Sequence, residues 1–299
     1  MFDIRDFGRL GFSALYNGPM YEMHVLAKAR TIEHFRSGCR GMYEGIWMTS
    51  TTQTVILQKT VRSLEANSFE VKVADDAEEA TRLVLSMIPK GASVGIGDSA
   101  TIRQIGLLEA LAKRRVKVVN PFSKELSTDP RKRAIAKRVR MLRKALVTDV
   151  FITSSNAITM DGKLVNIDAV GNRVAAMIFG PKRTIIIVGV NKLVENVDAA
   201  IHRIKNTIAP THTRTKKITT PCAATGECSD CHSPDRICSV TSIIERRPWR
   251  STVMIVIVKA DFGLSYDPTW EQARKDRILS AYQASTWRFP KSTLRLSKA

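Results

Sequence analysis

Five short, almost uninterrupted apolar runs set the strongest limit on how this chain can fold: SVGIG at 93–97, VKVV at 116–119, DVFITS at 149–154, TIIIVGV at 184–190 and TVMIVIV at 252–258. A strand that is apolar at consecutive positions must be covered on both faces, which is the condition of a parallel sheet between helices. Stretches with helical spacing separate the runs. They are TQTVILQKTVRSLEANSF, DDAEEATRLVLSMIP with acidic residues in its first turn and Pro89 at its end, DSATIRQIGLLEALAKR, DPRKRAIAKRVRMLRKAL and VENVDAAIHRIKNTI. Two weaker strand signals, EVKV at 70–73 and TSIIER at 241–246, complete the alternation. The expected class is α/β, a three-layer arrangement around a mostly parallel sheet.

One departure from the repeat stands out. In TSSNAITMDGKLVNID, Asp161 and Gly162 lie between two β-capable segments and predict a hairpin, because both tolerate positive φ. Residues 1–47 show no period and read as an irregular extension, with Met42 and Met48 as other possible starts. Residues 48–266 form the α/β domain, and residues 267–299 read as a short helix and a basic tail. No apolar run reaches the length of a membrane span and no secretory pattern opens the chain, so a cytoplasmic location is expected.

The net charge of +19 favours partners that carry phosphate or carboxylate. Thirteen Lys and Arg against Glu125 and Asp129 between Lys113 and Lys144 supply +11 of it. Ile135, Val139 and Leu142 give that helix one core face, and no aromatic lies between Ser123 and Val150 to stack on a base. A solvated charged face is therefore preferred to a nucleic-acid-binding module.

Two segments have the residue types of a ligand site. In GIGDSATIRQIG, Gly95 and Gly97 end a strand, and Asp98 and Ser99 stand where a helix begins. Free backbone N–H groups there suit a phosphate or carboxylate, and the alternative is an ordinary turn with Asp98 or Ser99 as N-cap. The spacing is neither a dinucleotide fingerprint nor a P-loop. In the second segment, Asn156, Asn166, Asp168, Asn172 and Arg173 crowd the hairpin and the helix start that follows. Asn166 and Asp168 share one strand face. Turn formation explains some of these residues without any function, and ligand binding at strand ends is the other reading, resting on Asn166 and Asp168. His24, His34, His202 and His212 show no partner spacing and read as surface or packed residues.

PCAATGECSDCHSPDRIC places Cys222, Cys228, Cys231 and Cys238 in a C-x5-C-x2-C-x6-C pattern. Clustered thiols in a reducing compartment favour a metal over disulfides, and four thiolates suit zinc or a [4Fe-4S] cluster. The spacing matches neither a zinc ribbon nor a compact ferredoxin run, so free thiols remain the alternative.

Together, GIGDSATIRQIGL, DVFITSSNAITMDGKLVNIDAVGNRVAAMIFGPK and TPCAATGECSDCHSPDRIC resemble the LUD (lactate utilisation) domain family in its stand-alone anaerobe-type branch, over about Gln53 to Tyr266. The resemblance implies a fold like those of ribose-5-phosphate isomerase, glucosamine-6-phosphate deaminase and the CoA transferases. It also implies a part in oxidising L-lactate to pyruvate, as a subunit beside iron–sulfur and flavin partners. A stand-alone sugar-phosphate isomerase or CoA-transferase-like enzyme is the other reading. The matching strand-end motifs lack the glutamate nucleophile of the transferases, which counts against thioester exchange.

Overall fold

The computed structural model describes residues 50–114 and 116–288. The extension expected at 1–47 lies outside them. Helix α1 (Ser50–Ala66) leads into β1 (Glu70–Ala74), α2 (Ala77–Ser86) and β2 (Ser93–Ile96). Helices α3 (Ala100–Gln104) and α4 (Leu107–Lys113) follow, where the sequence predicts one continuous helix. Gly106, at φ 72°, adopts the left-handed conformation and divides them. Next come β3 (Lys117–Val119), α5 (Lys124–Thr128), α6 (Lys132–Ala145), β4 (Val150–Thr153), the strands β5 (Ala157–Thr159) and β6 (Leu164–Asp168), α7 (Asn172–Ile178) and β7 (Arg183–Gly189). A 3-10 turn (Val190–Lys192) joins β7 to β8 (Leu193–Val194).

The predicted helix over 194–208 runs further than its sequence pattern suggests. Helix α8 (Val197–Arg203) passes through a π-helical turn (Ile204–Ile208) into α9 (Ala209–Lys216). Pro210, which has no N–H to give the preceding turn, stands just after the π turn, where the helical hydrogen-bond ladder is already interrupted. Helix α10 (Pro221–Thr225), β9 (Val240–Ile244), β10 (Thr252–Val258) and α11 (Gln272–Ala284) complete the described chain.

The central sheet is six-stranded in the order β1-β10-β7-β4-β2-β3, and all its pairings are parallel. Strand β7 shows how consecutive apolar residues serve two layers. Ile185 and Ile187 pack toward α2 and α4 with Val84, Leu107 and Leu111, while Ile186 and Val188 pack toward α1 with Leu57 and Leu64. Every one of these side chains is buried. A second, four-stranded sheet, β8-β5-β6-β9, adds the predicted hairpin as the antiparallel pair β5–β6, with Gly162 in its turn. Its outer side is covered by Ile204 and Ile208 of the π turn and by Tyr282 of α11.

Helix α6 turns Ala134 and Ala145 inward and leaves Lys132, Arg133, Lys137, Arg140, Arg143 and Lys144 exposed. Among the described residues, no helix is long and apolar enough to cross a membrane.

Candidate functional site

In the central sheet, β2 continues outward to β3 while β4 leads the other way to β7, so the connections diverge between β2 and β4. The loops leaving two such strands part above the sheet, and the crevice at their carboxyl ends is where open α/β sheets take ligands. A cavity of about 340 Å3 opens there. Asp98 and Ser99 reach it from the end of β2, Ser154 to Asn156 from the end of β4, Lys192 from the turn after β7, and Gly263 and Leu264 from the loop after β10. Helix α9 contributes His212 and Lys216, α11 contributes Tyr282, and the cysteine loop contributes Pro234 to Cys238.

The predicted site residues divide into three groups. Asp98, Ser99, Asn156, Asp168, Asn172 and Arg173 line the cavity. Gly95 and Gly97 do not, and their work is in packing. A Cβ on Gly95 would lie 2.6 Å from Thr148 Oγ1 and 2.7 Å from Ala145 O, and one on Gly97 would lie 2.5 Å from Thr153 Oγ1, so the end of α6 and the Thr153 side chain pack this closely only because no side chains stand there. Asn166 is fully buried behind the wall. Ser99 caps α3, its Oγ accepting from Ile102 N at 3.3 Å.

Arg173 ties the hairpin segment into one unit. Its Nε donates to Asp168 Oδ2 at 3.0 Å, Nη1 donates to Asn166 Oδ1 at 2.6 Å and Ser154 O at 3.0 Å, and Nη2 donates to Asn156 Oδ1 at 3.0 Å and Ile167 O at 3.1 Å. All five guanidinium donors are thereby used. The two asparagines lock each other as well, Asn156 N donating to Asn166 Oδ1 and Ile167 N to Asn156 Oδ1, each at 3.0 Å. Asp168 Oδ1 receives Val170 N and Gly171 N. The polar cluster visible in the sequence is thus mostly self-satisfied, and it holds the cavity wall rigid.

A second charged group stands across the cavity. Asp98 Oδ1 lies 3.0 Å from Arg103 Nη1, and its Oδ2 lies 3.7 Å from Lys216 Nζ. Burial alone would push the Asp98 carboxyl up, but Lys216 and Arg103 outweigh it and hold the group well below the usual carboxylate range. Arg103 also donates Nε to Ser285 O at 2.6 Å and stacks over Trp287 at 4.7 Å. His212 Nδ1 is 2.5 Å from Tyr282 Oη. Enclosure first, and Lys216 second, lower His212 to about 3, which keeps it neutral at pH 7.

Lys192 is the residue that no sequence pattern isolates. It is 5% exposed, and its Nζ donates to Ser154 Oγ at 2.7 Å, Thr101 Oγ1 at 3.1 Å and Ser155 O at 3.1 Å. Among the described residues, no carboxylate pairs with it. Burial, with the Arg173 charge adding to it, lowers Lys192 to about 7. Gly263 closes over it at φ 75°, where a Cβ would stand 2.6 Å from Thr101 Oγ1 and 2.9 Å from Lys192 Nζ. The available signal was a lysine just beyond the carboxyl end of the most apolar parallel strand, read together with the rule that such ends face the crevice. Lys216, His212 and Tyr282 gave less, since their placement depends on the π turn and on the docking of α11.

The cysteine loop borders the cavity through Cys238. Cys222, Cys228, Cys231 and Cys238 are all free and half-buried. Arg236 staples the loop by donating to Cys231 O at 2.6 Å, Cys238 O at 2.9 Å and Asp230 Oδ1 at 2.8 Å. Burial pushes the Cys238 thiol up, and Cys228 and Cys222 add to the effect, so these thiols lie within electrostatic reach of one another. The donors have the chemistry of a thiolate site for zinc or an iron–sulfur cluster. Among the described residues, however, no three His, Cys, Asp or Glu groups converge to hold a metal ion.

The LUD domain family model matches residues 57–258, which takes in the central sheet, the hairpin and the cysteine loop. The chain belongs to the LUD domain family. A solved structure similar to this LUD chain is a DUF162 family protein from Deinococcus radiodurans, with 12% identity, a TM-score of 0.40, and coverage of 69% of this chain and 98% of that one. No curated protein matches the chain. The family match ends at the last central strand, so Tyr282 and Trp287 reach this LUD domain's cavity region from sequence beyond it.

Proposed function

We propose that this LUD-domain chain is a lactate-utilisation protein that binds a small carboxylate or phosphate anion in the strand-end cavity. In this reading it serves as a subunit of an oxidoreductase system that converts L-lactate to pyruvate beside iron–sulfur and flavin partner subunits. The observation that carries the anion is Lys192, a buried amine whose partners are two hydroxyls and a carbonyl oxygen. A cation placed this way gains most from an incoming negative charge, because the low-dielectric wall screens the attraction poorly. The cavity as a whole points the same way, with Arg103, Arg138, Arg173, Lys192, Lys216 and Arg236 set against Asp98, Asp168 and Asp235. A CoA-transferase-like reaction is the weaker reading, since no glutamate is among the described residues that line the cavity.

The four cysteines are proposed to hold a [4Fe-4S] cluster or zinc once their loop closes around it. Bound there, a cluster would supply one-electron transfer, and zinc would supply only a fixed loop. The chain's own residues bind and orient the anion, and the Arg173 cluster keeps that wall from yielding.

Titration calorimetry of the full chain with L-lactate, pyruvate and inorganic phosphate tests the anion reading. Saturable binding that weakens in Lys192→Met and at high salt is expected, and no heat with any of the three anions overturns it. The isolated chain should not oxidise lactate without partner subunits. Elemental analysis of anaerobically purified chain should give iron or zinc in near-stoichiometric amount, and finding neither sinks the metal proposal.

A further inference from the structure

We propose that Lys192 is a Schiff-base lysine whose Nζ condenses with the carbonyl carbon of a 2-oxo acid bound in the cavity. The inference rests on the anion-binding reading above and adds to it a substrate class and a covalent step.

Four features of the site converge on this chemistry. The amine stands on the short 3-10 turn between β7, in the middle of the sheet, and β8, so strands on both sides anchor the backbone that carries it into the cavity. Its partners, Ser154 Oγ, Thr101 Oγ1 and Ser155 O, solvate it without fixing its charge. A carboxylate partner would hold the ammonium, whereas a hydroxyl serves the free amine equally well, donating to it or accepting from it. Lys216, the other lysine of the cavity, shows the contrast. It has Asp98 Oδ2 at 3.7 Å and keeps its counter-charge. Finally, Gly263 roofs the amine so closely that any side chain there would meet it, which shields an imine from bulk water.

The step balances without an oxidant or reductant. The Nζ lone pair attacks the carbonyl carbon, a C–N bond forms, and the carbonyl oxygen takes a proton to give a carbinolamine. The C–O bond then breaks, and the oxygen leaves as water with the two protons that the amine has given up, leaving a C=N bond. Ser154 Oγ, 2.7 Å from Nζ, is placed to relay a proton between them. The protonated imine is a stronger electron sink than the parent ketone, so bonds on the neighbouring carbon are weakened.

The test incubates the full chain with pyruvate, adds sodium borohydride, and reads intact mass followed by peptide mapping. The expected product is one adduct per chain at Lys192, heavier by the mass of the 2-oxo acid less one oxygen atom. L-Lactate, which has no keto group, should give none, and Lys192→Arg should lose the adduct. Pyruvate that binds by calorimetry but leaves no adduct at Lys192 overturns the Schiff base and leaves the anion reading standing. Failure of pyruvate, lactate and phosphate alike to bind overturns both. Labelling spread over surface lysines, with none preferred at Lys192, also counts against the proposal, and it does so without relying on a folded variant.

Discussion

Replacing Lys192 by methionine should stabilise the chain near neutral pH and lose much of that advantage in alkali. Lowering a lysine from 10.5 to about 7 corresponds to about 5 kcal/mol of penalty on the charged form, at about 1.4 kcal/mol for each tenfold change in proton affinity. The folded chain holds this proton less tightly than the unfolded chain does. Wild-type stability therefore rises with pH between the folded and unfolded values, and the contribution amounts to about 2 kcal/mol between pH 7 and pH 9. Lys192→Met lacks the group and so lacks this slope. It also loses the hydrogen bonds to Ser154, Thr101 and Ser155, which cost about 1 kcal/mol each at most and do not vary with pH in this range. The informative quantity is thus the change in the gap between variant and wild type. Urea denaturation of both proteins at pH 7, 8 and 9 measures it, and a thermal scan should show the gap closing by about 4–8 °C. A gap that stays constant from pH 7 to pH 9 would refute the reasoning, because it would mean that burial does not depress this amine.

Arg173→Lys should destabilise the fold by about 3 kcal/mol, since a single ammonium cannot replace five directed donors and leaves buried acceptors unpaired. Chemical denaturation checks this, and a loss below about 0.5 kcal/mol would remove the wall-holding role. Gly263→Ala should cost about 1–3 kcal/mol and reduce pyruvate affinity, because its methyl group meets Thr101 and Lys192 in a left-handed backbone. Calorimetry and thermal scans read the two effects separately. L-Lactate affinity should weaken as pH rises through about 7 with the loss of the Lys192 charge. His212, lowered to about 3, stays neutral throughout and adds no charge change, and calorimetry across pH 5 to 9 reads the Lys192 step.

Much of the architecture could be read from the runs SVGIG, VFIT, TIIIVGV and TVMIVIV, because a strand buried on both faces leaves a pattern that local physics enforces. The Asp161–Gly162 hairpin and the Ser99 cap were legible for the same reason, since each depends on a few adjacent residues. The site was legible only where chain neighbours make it. Asn156, Asn166, Asp168 and Arg173 lie within eighteen residues and bond mostly to one another, so the sequence displayed the cluster while hiding those bonds. The packing of Gly95 and Gly97 was not legible, because nothing local says that Thr148 and Thr153 need the space. Lys192 and its partner Thr101 are 91 positions apart, and His212 and Tyr282 are 70 apart. Only the assembled sheet and the π turn that leads the helix into α9 bring such groups together.

The cavity's charges do not act as a simple sum, and this gives the Schiff-base proposal a further signature. Arg173 spends its donors on the wall, Arg236 on the cysteine loop, and Arg103 and Lys216 face Asp98. Among the described residues, Lys192 has only hydroxyl and carbonyl partners, so its ammonium form draws the anion and its amine form attacks the carbonyl. The two roles need opposite protonation states. With pyruvate well below saturation, the complex that reacts is the one holding the free amine, so its amount follows the free-amine fraction and levels off once pH passes about 7. Borohydride trapping at Lys192 should therefore rise from pH 5 and reach a plateau before pH 9. At saturating pyruvate the rising limb should move to higher pH, because the bound anion favours the ammonium form. An exposed lysine with an ordinary pKa would instead gain adduct steadily up to pH 10 at any concentration. A rise at Lys192 that continues to pH 10 without a plateau would show that the amine does not titrate near neutrality.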